Sequence, residues 1–267
     1  MEKNKKAKIS CSSKEEAQKI MARVLYLGQL LVKYGAEIYR TEDTISRICG
    51  AYTNLESVDV FGLTNGLFLS LEYEQEVITM YKSASNDNLD LEKIDALNTF
   101  SRDFVKSPKD LTFALKELKE IENRKELNPK LQVLASGLAS AFFSLLFGAC
   151  GRDAICTFFV GSISYCLVSF FSQFDFTFFI DRFLGAFFSS ALASLCIHLK
   201  LGSNIDHIII GAIMLFVPGV TITNAIRDIM SDDFLSGLIG LVKALFIALA
   251  IAIGVGLVLH FYLKWSR

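Results

Sequence analysis

The sequence is poor in residues that commonly carry catalysis. It has three histidines in 267 residues, and none of them lies within residues 1–125. No HExxH, GxSxG or phosphate-loop signature occurs in the chain. His198, His207 and His260 do not have the spacing of metal ligands. We therefore predict no catalytic residues, no metal site and no cofactor.

The cysteines and the first 20 residues give little further indication of function. The six cysteines form no CxxC pair, and they are predicted to be free thiols. Residues 1–20 are charged and polar, so we expect no cleavable signal peptide. Residues 1–8 carry four lysines and are predicted to form a disordered tail.

Charge is scarce in the second half of the chain. Only 14 of the 55 Lys, Arg, Asp and Glu residues lie at positions 131–267. This division predicts a soluble domain at residues 1–125 and a transmembrane domain at residues 126–267, with the lipid bilayer as partner. The net charge of −1 gives no reason to expect nucleic acid.

The first 125 residues predict a small α+β domain with elements in the order ααβββαα. Ile20, Val24 and Leu27 recur at helical spacing, and Gly35 is a plausible end for that helix. Alternating, β-branched and aromatic segments follow, with Asn65-Gly66 as a hairpin turn. Two further helices complete a domain with an antiparallel sheet.

The second half predicts a bundle of about five transmembrane helices, at residues 131–150, 154–171, 178–199, 208–223 and 234–263. Small residues recur at every fourth position in the first, third and fifth of these segments. Such stripes let helix backbones approach closely, so the helices are expected to pack together.

The fourth segment is interrupted by Pro218-Gly219, and polar residues follow the break on one arc of a helix. Transporters often place binding sites at such broken membrane helices. Lys243 lies beside the small-residue stripe of the last segment and is expected to face protein. The candidate substrate-binding residues are Pro218, Gly219, Thr221, Asn224, Arg227, Asp228 and Lys243.

Two interpretations of this polar arc remain open. In the first, Arg227 binds a carboxylate, Asn224 and Thr221 donate hydrogen bonds, and Asp228 holds an amino group or a coupling proton. In the second, Arg227, Asp228 and the following acidic residues form the loop and cap of the last helix.

A short helix in the soluble domain also has two interpretations. Its charged residues form a solvated, ion-paired face in one interpretation, and a polar site or docking surface in the other; they are Glu37, Arg40, Glu42, Asp43 and Arg47.

Positive charge predicts which side of the membrane the soluble domain occupies. Five Lys and Arg residues lie between positions 116 and 130, just before the first membrane segment. The cytoplasmic side favours such residues. The chain is therefore predicted to be a multi-pass protein of the cell membrane with a cytoplasmic N-terminal domain.

Two stretches resemble the threonine/serine exporter family: LLVKYGAEIYRTEDTISRIC at residues 30–49 and LFVPGVTITNAIRDIMSDDFLSG at residues 215–237. FGACGRDA, at residues 147–154, is a weaker third match. The residues carried over by position are Gly35, Glu37, Arg40, Glu42, Pro218, Gly219, Asn224, Arg227, Asp228 and Gly237.

The resemblance implies the larger subunit of a split, two-component exporter, with a smaller membrane subunit as partner; a higher oligomer is left open. It also implies export of threonine and serine or of dicarboxylates such as succinate. The leading hypothesis is thus a secondary transporter subunit that exports small carboxylate-bearing metabolites. The alternative is a membrane-anchored sensor or scaffold that works through its cytoplasmic domain.

Overall fold

The computed structural model describes residues 10–85, 89–107, 111–125, 127–174 and 177–265. The predicted tail at residues 1–8 lies outside them. The chain divides into two compact units. Unit 1 comprises Met1–Lys125 and Ile222–Leu241, and unit 2 comprises Glu126–Thr221 and Val242–Arg267. Residues 222–241, assigned from sequence to the transmembrane domain, thus group with the unit that contains residues 1–125.

The part of unit 1 up to Lys125 follows the predicted order of elements, ααβββαα. The elements are α1 (Lys14–Lys33), α2 (Ile38–Cys49), β1 (Glu56–Leu63), β2 (Gly66–Tyr73), β3 (Glu76–Ser83), α3 (Leu91–Lys106) and α4 (Leu111–Glu122).

Local interactions of the backbone and side chains determine both ends of helix α1. The Ser13 hydroxyl accepts a hydrogen bond from the Glu16 N–H, at 3.2 Å, and caps the first turn. At the other end Gly35 has a φ of +88°, a conformation that strongly favours glycine. The Ala36 N–H donates to the Leu31 carbonyl at 2.9 Å, which completes a Schellman-type end. The prediction that Gly35 ends this helix is confirmed.

The sheet is antiparallel, in the order β1-β2-β3, and its central strand faces the core of unit 1. Leu67, Leu69 and Leu71 alternate along β2 and are fully buried. Helix α1 packs over this face, and Gly28 allows the side chains of Leu67 and Ile45 to approach its backbone. The period-two pattern of β2 therefore fixes which face of the sheet the helices cover.

The first hairpin is present, but its turn residues are Thr64 and Asn65, since β1 ends at Leu63 and Gly66 already pairs within β2. The predicted Asn65-Gly66 turn is therefore displaced by one residue. Gly66 has another role, because a Cβ there would lie 2.5 Å from the ring of Tyr81 on the neighbouring strand.

The remaining helices are α5 (Pro129–Leu146), α6 (Gly151–Phe171), α7 (Phe178–His198), α8 (Ile205–Ile213), α9 (Gly219–Met230) and α10 (Phe234–Trp265). A short 3-10 turn, Ser172–Phe174, extends α6. The division between the units falls inside α9, after Thr221, and inside α10, after Leu241.

Four helices in the described part of the chain are long and apolar enough to cross a membrane: Pro129–Leu146, Gly151–Phe174, Phe178–His198 and Phe234–Lys264. The predicted crossing at residues 208–223 is instead divided between α8 and α9. Helix α8 ends at Ile213. If it continued, the ring of Pro218 would clash with the carbonyl four residues earlier, at Met214. The helix therefore stops before the proline.

Unit 2 packs through small residues, as the stripes predict. Ser140 and Ser144 of α5 are fully buried. A Cβ at Gly211 of α8 would lie 2.6 Å from the Ser144 side chain. Similarly, Gly185 of α7 accommodates the ring of Phe216, which a Cβ would meet at 2.7 Å. The small side chains thus set how closely these helices approach.

Candidate functional site

Within unit 1, the polar residues of α9 contact the segment that joins α1 to α2. The Asn224 amide donates a hydrogen bond to the Gly35 carbonyl at 3.0 Å. One turn further on, Arg227 Nη1 donates to Glu37 Oε1 at 2.6 Å. The two sequence stretches that suggested a family are thus in direct contact, although about 190 residues separate them.

Asp228 caps helix α2 from outside that helix. Glu37 holds the N-cap position, but its side chain forms no cap hydrogen bond. Instead, Asp228 Oδ1 accepts from the N–H groups of Ile38 and Tyr39, at 3.1 and 3.5 Å. The first N–H groups of a helix lack partners inside it, and a carboxylate there also suits the helix dipole. Asp228, which is buried, therefore stabilises the contact between α9 and α2.

The Glu37 carboxylate lies between two arginines. Its other oxygen is 3.8 Å from Arg40 Nη1. The Glu37 side chain is only 11% exposed, whereas that of Arg227 is 54% exposed. Because a guanidinium carries five N–H donors, Arg227 can bind a second carboxylate on its exposed side.

A neighbouring set of contacts connects α2, β1 and the start of α10. Glu42 Oε1 accepts from the Gly62 N–H at 2.5 Å. The buried Ser236 hydroxyl donates to the Gly62 carbonyl at 2.9 Å. A Cβ at Gly237 would lie 2.6 Å from the Ala225 carbonyl, so glycine lets α10 pack against α9. The sequence interpretation missed Ser236, since nothing in its local pattern indicates a partner in β1.

Two carboxyl groups in this region have raised pKa values. Burial raises the pKa of Glu42 to about 7, with added repulsion from Asp233 and Asp228. Burial likewise raises the pKa of Asp228 to about 6, although the two N–H groups of α2 oppose the shift. Both groups can therefore gain or lose a proton near neutral pH.

The other predicted substrate-binding residues lie in unit 2. Gly219 begins α9, and a Cβ there would meet nothing within 4 Å. Thr221 is half-buried, as is Pro218. Lys243 Nζ lies 5.4 Å from the ring centroid of Phe178, a cation–π distance. The structure thus brings Asn224, Arg227 and Asp228 together with the motif Gly35, Glu37, Arg40 and Glu42.

The third stretch, FGACGRDA, also has a structural role that the sequence did not indicate. Arg152 and Asp153 lie between the predicted segments 131–150 and 154–171, but α6 already begins at Gly151. Asp153 Oδ1 accepts from the Ser203 N–H at 2.5 Å. The Arg152 Nε donates to the Leu201 carbonyl at 2.8 Å. Together they hold the connection between α7 and α8.

These contacts bring one arginine, one amide and two titratable carboxyl groups to the same region of unit 1. Arg227 already holds one carboxylate, and it has donors available for another. Asp228 and Glu42 supply groups that titrate near neutral pH. Asn224 adds an amide donor whose hydrogen bond to Gly35 fixes its orientation. An arginine beside two titratable carboxyl groups can hold an anion and exchange protons.

A family model named ThrE, with the description "Putative threonine/serine exporter", matches residues 23–262. The match includes both contacting stretches, three of the four candidate membrane spans, and all but the last two residues of the fourth. No curated protein matches the chain, and no solved structure does.

Proposed function

Because this chain belongs to the threonine/serine exporter family, we propose that it is a subunit of a secondary transporter that exports small carboxylate-bearing metabolites. Threonine, serine and dicarboxylates such as succinate are the candidate substrates. The soluble part of unit 1 faces the cytoplasm of the cell, and a smaller membrane subunit supplies further helices.

The observation that carries this proposal is the ion pair between Arg227 and Glu37, at 2.6 Å. An arginine that holds a protein carboxylate has the geometry to hold a substrate carboxylate. In the proposed mechanism the substrate competes with Glu37 for Arg227. Asn224 donates a further hydrogen bond when it leaves the Gly35 carbonyl.

Proton binding gives this site a means of coupling. Asp228 accepts a hydrogen bond from the N-terminus of α2, and Glu42 is itself a residue of α2 that contacts β1. Both carboxyl groups are therefore connected to α2, the helix that begins directly after Glu37. Their pKa values, about 6 and about 7, lie where a modest pH difference changes protonation. We propose that protonation of these groups accompanies the exchange of carboxylates at Arg227.

Efflux from vesicles tests the proposal. Vesicles that contain the chain and its smaller subunit are loaded with labelled threonine, serine or succinate. We expect efflux above that of empty vesicles for at least one substrate, and its loss in Arg227→Gln. In Glu37→Gln, which removes the competing carboxylate, efflux should persist and require less substrate.

The two variants separate a binding role from a structural one. If Arg227 serves only to hold Glu37, both substitutions break the same ion pair, and both should reduce efflux equally. That result would exclude Arg227 as the carboxylate-binding residue. Arg124→Gln is a matched control, since Arg124 is an exposed arginine of unit 1 and pairs with Glu92 at 3.9 Å. Absence of efflux for every substrate would refute the transport proposal itself.

A further inference from the structure

A cationic groove adjoins the Glu37 contact, between α2 and α3 of unit 1. Its volume is about 790 Å³, and it is open to solvent on one side. This size falls within the range of small-molecule sites, about 300 to 1,000 Å³. Four cationic side chains line the groove, and Asp43 is the one carboxylate among its described lining residues. The cations are Arg40, Arg47, Arg102 and Lys106.

Most of this positive charge is available to a ligand. The side chains of Arg40, Arg47 and Lys106 are 61%, 71% and 76% exposed. Arg47 pairs with Asp43, but an exposed ion pair of this kind contributes little. Among the described residues at positions 10–85 and 89–107, no carboxylate forms an ion pair with Arg102. A multiply charged anion can therefore compete with the pairs that exist.

The cations stand in two rows on facing helices. Arg40 and Arg47 are two turns apart on α2, a separation of about 10 Å along its axis. Arg102 and Lys106 are one turn apart on α3, at about 6 Å. Arginine forks bind carboxylate and phosphate in a bidentate way. One arginine suffices for a single carboxylate, whereas two rows of cations suit several anionic groups.

We infer that this groove binds a small polyanion, a molecule with two or more phosphate or carboxylate groups. The amide of Asn98 and the hydroxyl of Thr44, which also line the groove, supply uncharged hydrogen bonds. Binding here is measured directly, without any transport assay. The inference therefore stands or fails separately from the proposed export function.

Calorimetric titration of the full chain in a neutral detergent tests the inference. The probes are pyrophosphate and citrate, with acetate at matched ionic strength as the singly charged control. We expect saturable binding of at least one polyanion with a Kd at or below about 1 mM, and no saturable binding of acetate. Affinity should fall as salt is added, because the cations are exposed. The tighter probe identifies a polyphosphate or a polycarboxylate ligand.

Variants locate the binding. Arg102→Gln and Arg47→Gln should each weaken polyanion binding by about tenfold. Arg124→Gln, at an exposed arginine outside the groove, should leave the Kd within about twofold. Thermal unfolding without ligand checks that each variant is folded. The inference is wrong if the unaltered chain binds neither polyanion saturably, or if the groove variants bind like Arg124→Gln.

Discussion

Replacing Asp228 by alanine removes the side-chain oxygen that two N–H groups of α2 share. The loss of a helix cap costs about 0.5 to 2 kcal/mol, and a charge at a partly buried helix end contributes up to about 2 kcal/mol. The raised pKa of Asp228 shows that burial opposes its charge, so the charge contribution is small. We therefore expect α2 to be destabilised locally by about 1 to 2 kcal/mol.

Hydrogen exchange of the α2 amides measures this effect where it occurs. A loss of about 1 to 2 kcal/mol accelerates exchange of the protected amides of Ile38–Cys49 by about 5- to 30-fold. Asp228→Asn keeps a side-chain oxygen as acceptor and removes only the charge. It should therefore exchange within about threefold of the unaltered chain. Asp95→Ala, at an exposed position of α3, is the matched control.

Two results would refute this reasoning. Unchanged α2 exchange in Asp228→Ala would mean that the carboxylate does not support the helix. Equal acceleration in the alanine and asparagine variants would mean that charge, not the hydrogen bond, holds the contact. The asparagine variant also serves in the efflux assay. If it keeps normal exchange but loses export, Asp228 acts as a proton-binding group.

The pH dependence of the same contact follows from linkage. The pKa values of Asp228 and Glu42 rise from 3.8 and 4.5 to about 6 and about 7. The folded state, in which α9 contacts α2, binds these protons more tightly than a state in which the contact is broken. The stabilisation from proton binding is therefore complete when the pH lies below the ordinary pKa values. It is lost as pH rises through the raised values. Protection of the α2 amides, corrected for intrinsic rates, should thus fall between about pH 4 and pH 7. Protection that rises with pH would contradict this account, and Asp228→Asn with Glu42→Gln should flatten the profile.

Two further changes test the ion pair and the first hairpin. A double-mutant cycle with Glu37→Gln and Arg227→Gln, followed by α2 hydrogen exchange, should give a coupling of about 1 kcal/mol, because Glu37 is buried and Arg227 half-exposed; no coupling would mean that the pair is incidental. Gly66→Ala should lower the free energy of unfolding of unit 1 by about 1 to 3 kcal/mol, since the new methyl group meets Tyr81. Thermal unfolding should show a much smaller loss when Gly66→Ala is made in a Tyr81→Ala background, and an equal loss in that background would place the strain elsewhere.

The sequence predicts features that local chemistry controls. The end of α1 at Gly35 follows from a backbone conformation that glycine adopts freely, so no distant contact is needed to locate it. The hairpin register depends on more than its turn. Asn-Gly is a strong turn signal, but Gly66 lies in strand β2, where its lack of a side chain leaves space for the ring of Tyr81. Tyr81 is 15 positions further along the chain. A rule based on turn residues alone cannot predict a close contact between side chains on neighbouring strands.

The membrane segments show a similar limit. Hydropathy indicates that residues 208–223 are apolar, but a spanning helix also needs an unbroken run of backbone hydrogen bonds. Pro218 prevents that run, and α8 ends at Ile213. The proline was recognised as a break, yet hydropathy alone could not tell that both resulting helices are too short to cross.

For the candidate site, the sequence predicts which residues share a helix face but not which residues that face contacts. Helical periodicity placed Asn224, Arg227 and Asp228 on one arc, and the structure brings that arc to a single surface. Periodicity does not say what the surface meets. The partners, at Gly35 and Glu37, lie in a segment whose own pattern was compatible with a solvated face.

This contact has a quantitative consequence for the proposed export. If a substrate carboxylate must displace Glu37 from Arg227, the internal ion pair lowers the apparent substrate affinity by its own stability. A coupling of about 1 kcal/mol corresponds to about a fivefold loss. Glu37→Gln should therefore reduce the substrate concentration for half-maximal efflux by about fivefold, with maximal efflux retained. An unchanged half-maximal concentration, in a variant whose α2 exchange confirms that the ion pair is broken, would show that Glu37 and the substrate do not compete for Arg227.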